Sequence, residues 1–302
     1  MYLAFAPLVG ALVTLMTRVN SRLAAAVGGV VAVLVIHAVG LLVVSVVLLV
    51  RQEERKPGKL PLVYYLGGVI GVGTVFCANY AFLALGASMA VAVALLGQTM
   101  FSVVVDATGL LGRTRYPLSV RRLPGICLAI LGVVIMAGTW RLDAPAMIAA
   151  LASGAIPVLT FTLNSELGLR KGVFHSTRLN YVTGLATTAA ISLVVLPPAA
   201  EAARAVMAAG PLLALGGGTM GVCMVAAMNF IFPRVPAFSS TLLLYAGQVL
   251  TGVLVDAVSA GAFEARKLIG VFVLLVGLAI NALLERRRQR QGHLTGLRIR
   301  SP

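Results

Sequence analysis

Charge is scarce in this sequence. Asp, Glu, Lys and Arg make up 11% of its 302 residues, and only nine of them are acidic. A water-soluble domain of this length covers itself with charged side chains, and this chain has too few to do so. Sixty per cent of its residues are hydrophobic, and the mean hydropathy is +1.01. Leu123 to Thr139 and Leu268 to Leu284 carry no charge at all. Runs of that length and composition suit a bilayer, so the chain reads as an integral membrane protein. Cysteine is scarce too. Cys77, Cys127 and Cys223 sit singly in apolar runs without CxxC spacing, which argues against a disulfide framework or a cysteine metal site and leaves small apolar core residues.

Catalytic patterns are also missing. The sequence has no HExxH, no GxSxG and no paired-carboxylate constellation. Its glycine-rich stretches, GGVIGVG and GGGTMG, lack the Lys and Ser/Thr that complete a phosphate-binding loop. Close helix packing is their plain role. The chain is therefore not expected to be an enzyme, and neither a cofactor nor a metal is expected.

What is abundant is apolar sequence broken by short polar stretches. Ten spans follow, near 2–17, 27–50, 61–83, 88–111, 123–139, 145–163, 174–197, 210–232, 236–258 and 267–284. The net charge of +15 sorts between the connections. Seventeen of the 24 basic residues fall on one side, including Arg121, Arg122, Arg170, Lys171 and the tail ERRRQRQGHLTGLRIR. Six fall on the other, including Arg18, Arg22, Arg266 and Lys267. The richer side is cytoplasmic by the positive-inside rule, which puts both termini there, where anionic lipid attracts the tail. No nucleic-acid motif accompanies the positive charge.

The spans repeat. Asn20-Ser21 in VNSRL matches Asn164-Ser165 in LNSEL at an offset of 144. Gly67, Gly68, Gly71 and Asn79 match Gly217, Gly218, Gly221 and Asn229 at 150, and GQTMFSVVVD (Gln98, Asp106) matches GQVLTGVLVD (Gln248, Asp256) at the same offset. Gly125 and Gly132 then match Gly270 and Gly277 at 145. Residues 1–140 and 141–284 are thus two five-span repeats, followed by a basic cytoplasmic tail at 285–302. Five is odd, so the second repeat enters the membrane from the opposite face, an architecture of secondary transporters.

With VNSRL, the GQ(x)7D segment and their repetition, the chain resembles the drug/metabolite transporter superfamily, and within it the YdcZ family. That resemblance implies a bundle of ten transmembrane helices, a place in the bacterial inner (plasma) membrane and a substrate path between the halves. It does not supply a substrate. Glu166 and Tyr181 depart from the first repeat's Arg22 and His37.

Unsatisfied polar groups are costly in hydrocarbon, so the paired ones are candidates for a path. Gln98, Gln248, Asn79 and Asn229 lie within spans, where an amide either contacts a polar solute or bonds another helix. Asn20 and Asn164 follow short spans and read as caps at helix ends, with gating as the other role. Asp106 and Asp256 lie near opposite faces. Each couples protons or, as the preferred reading, forms a salt bridge: Asp106 to Arg121 or Arg122, Asp256 to Arg266 or Lys267. His37 and Tyr181 occupy matching places and read as packed core residues. The function expected is that of a secondary transporter exporting a small polar or amphipathic metabolite by alternating access. The other reading is a non-transporting membrane scaffold. The partners expected are a small-molecule substrate and membrane lipid, without nucleic acid. Ten spans suffice for a complete path, so a monomer is preferred to a homodimer.

Overall fold

The computed structural model describes residues 5–53, 61–108, 123–138, 143–195, 199–231, 237–261 and 264–298. The described residues are helical, without strands. Helices α1 (Phe5–Val27), α2 (Gly29–Arg51), α3 (Gly67–Leu85), α4 (Ala87–Thr108) and α5 (Leu123–Ala137) come from the first repeat. Helices α6 (Ala144–Lys171), α7 (Val173–Val195), α8 (Ala199–Ala209), α9 (Pro211–Ile231), α10 (Ala237–Ala260) and α11 (Ala265–Arg298) follow. A short 3-10 helix, Leu62–Leu66, leads into α3.

Apolar composition and stops at glycine account for these boundaries. The connections after α1 and α6 are single residues, Gly28 and Gly172, with φ of +85° and +94°. A side chain resists that left-handed backbone, so each glycine ends one helix and lets the next begin at once. The two glycines differ by 144 in number, the offset of the repeat. Asp143 begins α6, its carboxylate accepting from the Ala146 N–H at 3.2 Å.

Five helical stretches among the described residues are long and apolar enough to cross a bilayer: Gly29–Arg51, Leu62–Leu85, Ala87–Val105, Leu242–Ala260 and Ala265–Leu284. Taking α7 and α8 as one broken span would add a sixth. The other helices have identifiable reasons for falling short. Helix α1 carries Thr14, Thr17, Arg18, Asn20, Ser21 and Arg22, and α5 has only 15 residues. Outward faces are apolar: Leu193 and Val194 are 89% and 87% exposed, a surface suited to lipid. Cys127 and Cys223 are exposed as well, so they are not the core residues expected. In a membrane bundle the outside is as apolar as the inside, and hydrophobicity alone does not sort the two.

Two other expectations change. Helices α1 and α6 run on through Asn20 and Asn164 to Val27 and Lys171, so neither Asn caps a helix end. The residues that follow, SRLAAAV and SELGLRK, are mostly good helix formers and carry the helix to the glycine. Helix α8 was absent from the span count. Its less exposed residues Ala202, Ala205, Val206 and Ala209 recur at helical spacing on a face toward α1 and α9, while Glu201, Arg204 and Met207 are exposed.

The halves interlock through glycines in reciprocal pairs. Gly10 on α1 abuts the Leu244 carbonyl on α10, and its equivalent Gly154 on α6 abuts that of Ala94 on α4. Gly97 meets Leu151, and Gly247 meets Pro7. Gly68 lies against α7 at Asn180 and Gly184, and Gly218 against α2 at Ile36 and Gly40. In every pair each residue is replaced by its repeat equivalent. None of these sites has room for a Cβ, so the backbones approach as closely as glycine permits. Helices α5 and α11 pack on each other through Gly125, Gly132, Gly270 and Gly277. With α4 and α10 they enclose the largest buried cluster, including Val93, Leu95, Val133, Val249, Val253 and Leu274.

Candidate functional site

Where α1, α3, α4, α6, α9 and α10 meet, they surround a cavity of about 310 Å³. That is at the small end of the range for small-molecule sites, roughly 300 to 1,000 Å³. Both repeats build it, at equivalent positions. Val13 and Pro157, Met16 and Thr160, Thr74 and Met224, Ala94 and Leu244, Leu95 and Tyr245, and Gln98 and Gln248 all line it. The glycine contacts of α1 with α10 and of α4 with α6 bring these helices together beside the two glutamines.

Four of the six amides singled out in the sequence reach this cavity: Gln98, Gln248, Asn20 and Asn79. Asn164 does not. It faces Gly67 on α3, while Asn20 faces the equivalent Gly217 on α9. The side chain of Asn229 lies outside the described residues. Asn79 is 4% exposed and Asn20 5%. Both amide atoms of Asn79, the Oδ1 of Asn20 and the Oγ1 of Thr74 are buried without a hydrogen-bond partner among the described residues. Buried polar atoms ordinarily have partners; these expose almost no surface to the cavity, and the Asn20 Oδ1 packs against Gly217.

Two backbone features shape the same wall. Thr14 donates from Oγ1 to the Gln248 carbonyl at 2.9 Å, joining α1 to α10 beside the glutamine. Pro157 sits inside α6. It has no N–H for the Ser153 carbonyl four residues earlier, and Ser153, Gly154 and Pro157 all line the cavity. Pro157 replaces Val13 of the first repeat, so this break in the backbone ladder belongs to one half.

The acidic residues lie elsewhere. Asp256, near the end of α10, accepts from the N–H groups of Ala87 and Ser88 at 2.7 and 3.0 Å and from the Ser88 hydroxyl. Lys267 approaches it to 3.4 Å. Asp256 therefore caps α4 from another helix and pairs with Lys267 rather than Arg266. Lys267 also lies 3.2 Å from Glu264. Its hydrogen bond, helped by Arg266, holds the exposed Glu264 carboxyl below the usual range. The side chain of Asp106, and Arg121 and Arg122, lie outside the described residues.

His37 and Tyr181 face each other across α2 and α7, with ring centroids 6.0 Å apart at 72°. The His37 Nδ1 bonds the Val33 carbonyl at 2.8 Å, Gly184 packs on the His37 ring, and Gly40 packs on the Tyr181 ring. Neither ring lines the cavity. Among the described residues, no three His, Cys, Asp or Glu side chains gather to hold a metal.

Three features had escaped the sequence reading. Thr74 lines the cavity with its hydroxyl buried, and no repeated residue announces it, because its equivalent is Met224. Asn281 on α11 is buried against Gly125, with neither amide atom partnered among the described residues. It stands where the first repeat has Met136. Glu53, beyond α2, caps α7 by accepting from the N–H groups of Val173, Phe174 and His175 at 3.0, 2.9 and 3.1 Å.

A family model described as "Putative inner membrane exporter, YdcZ" matches the chain twice, at residues 1–135 and 145–280. The chain belongs to the YdcZ family. The two matches are the two tandem repeats, and they place the protein in a family of the inner membrane. A crystal structure matches 94% of this chain and 98% of its own, with a TM-score of 0.57 and 21% identity. At that identity the likeness is one of fold. A comparison with curated proteins finds no match.

Proposed function

We propose that the protein is a secondary transporter that exports a small polar or amphipathic metabolite by alternating access between two inverted halves. In this reading α1 to α7 and α9 to α11 are ten spans, α8 lies along the membrane surface, and both termini and the basic tail at 285–302 are cytoplasmic. Residues 1–140 and 141–284 are the two halves. One observation carries the proposal: the cavity is built from equivalent positions of both repeats, with Gln98 and Gln248 both in its wall. A site on such a seam can open to either side when the halves rock about it. The reciprocal glycine contacts support two like units packed face to face, and the family's description supports export.

The test is to find compounds that raise the thermal stability of the purified protein, then measure their counterflow in proteoliposomes. The proposal expects saturable flux that falls at least about tenfold in the Gln98→Leu/Gln248→Leu variant, with folding retained. Unchanged flux in that variant would remove the path through the glutamines. Binding without any flux would favour a scaffold.

A further inference from the structure

The described wall of the cavity contains no Asp, Glu, Lys, Arg or His. Its polar groups are amides and hydroxyls. Three charged groups near these helices are engaged elsewhere. Arg18 donates to the Ser259 hydroxyl at 2.8 Å, Asp256 is held by the start of α4 and by Lys267, and Glu53 is held by the start of α7. An ion entering the cavity would leave water without meeting an opposite charge, and that desolvation costs several kcal/mol. A neutral polar solute meets the opposite situation. Gln98 and Gln248, both only partly buried in the wall, each offer donors and an acceptor. Around them the wall is apolar, with Met16, Phe82, Leu95, Met224 and Leu244.

We propose that the cavity takes a solute without net charge that carries both a hydrogen-bond donor and an acceptor, such as an amide or alcohol, on an apolar body. Gln98 and Gln248 are its polar contacts. The proposal rests on the transporter reading, because it requires the cavity to be reachable from solution.

The experiment needs no knowledge of the natural solute. In a full-length background with Cys77, Cys127 and Cys223 changed to Ala, a single reporter thiol is introduced as Ser153→Cys or, separately, Ala78→Cys. Both positions line the cavity, one in each repeat. Each is treated with three small methanethiosulfonates: neutral hydroxyethyl, cationic trimethylammonioethyl and anionic sulfonatoethyl. Rates are normalised to those with free 2-mercaptoethanol. The neutral reagent is expected to react at least about tenfold faster than either ion, because only the ions lose hydration without a counter-charge. Adding Gln98→Glu should then favour the cationic over the anionic reagent by about tenfold or more.

Equal normalised rates for all three reagents would overturn the uncharged-solute proposal and leave the cavity as a reachable path. A faster ion of one sign would overturn it in favour of a solute of that charge. If neither thiol reacts in the folded protein, yet both react after denaturation, the cavity is closed to solutes and the transporter reading fails with the proposal. Two reporter positions in different helices guard against one substitution failing to fold.

Discussion

The two halves share their close contacts but only some of their polar groups. Gly10 and Gly154, Gly97 and Gly247, and Gly68 and Gly218 make the same approaches with partners exchanged. Around that common frame the chemistry has diverged. Asn20 lines the cavity and Asn164 does not. Thr74 and its equivalent Met224 both line the site, as do Met16 and its equivalent Thr160. Glu53 caps α7, while the start of α2, its equivalent, has no side-chain cap among the described residues. Backbone approach is set by steric exclusion, which tolerates only glycine in either copy. In the proposed transporter, side-chain chemistry in the cavity answers to a solute, and one solute need not present equal faces to two halves. A fused pair is free to differ there, which two identical chains are not.

Substitutions can break this comparison at graded cost. The largest effect is expected at the shared frame. Gly10→Val and Gly154→Val each force a side chain against a backbone carbonyl, and each should destabilise by about 3 kcal/mol or more. Unfolding in mixed micelles measures this, and the two values should agree closely if the halves are structurally equivalent. Next comes Asp256→Asn. It removes the charge that receives the start of α4, the Ser88 hydroxyl and Lys267, and a loss of about 2 kcal/mol is expected by the same assay. Glu53→Gln should cost about 1 kcal/mol, and slower hydrogen exchange at Phe174 and His175 in the wild type than in the variant would trace the loss to the cap. The smallest effect separates two equivalent glycines. A Cβ at Gly71 meets open space, whereas one at Gly221 crowds the Tyr181 hydroxyl. Gly71→Ala should leave stability within about 0.5 kcal/mol of the wild type, and Gly221→Ala should lower it measurably.

Repetition made much of this legible in the sequence. The offsets of 144, 150 and 145 link glycines that make the same contacts with partners exchanged, because a duplicated unit keeps the glycines its packing requires. Gln98, Gln248, Asn20 and Asn79 were visible because an amide in an apolar run needs a reason to be there. Features without a repeat partner were hidden. Thr74 and Asn281 each stand opposite a methionine in the other copy, so comparing the copies passes over them. The caps made by Glu53 and Asp256 join residues more than a hundred positions apart, beyond any local motif. The ends of α1 and α6 were misplaced because polar residues in VNSRL and LNSEL look like a helix exit, although Asn20 and Asn164 face glycines on other helices.

The central claim is that two like halves, packed face to face, run through the membrane in opposite directions. Ala26 and Arg170 are equivalent at the offset of 144, and both are exposed near the ends of α1 and α6. Ala26→Cys and Arg170→Cys, each as the sole cysteine, can be labelled with a membrane-impermeant maleimide in vesicles of known sidedness. The account predicts labelling of Cys at 26 from outside the cell and at 170 from the cytoplasm. Labelling of both from the same face would contradict it.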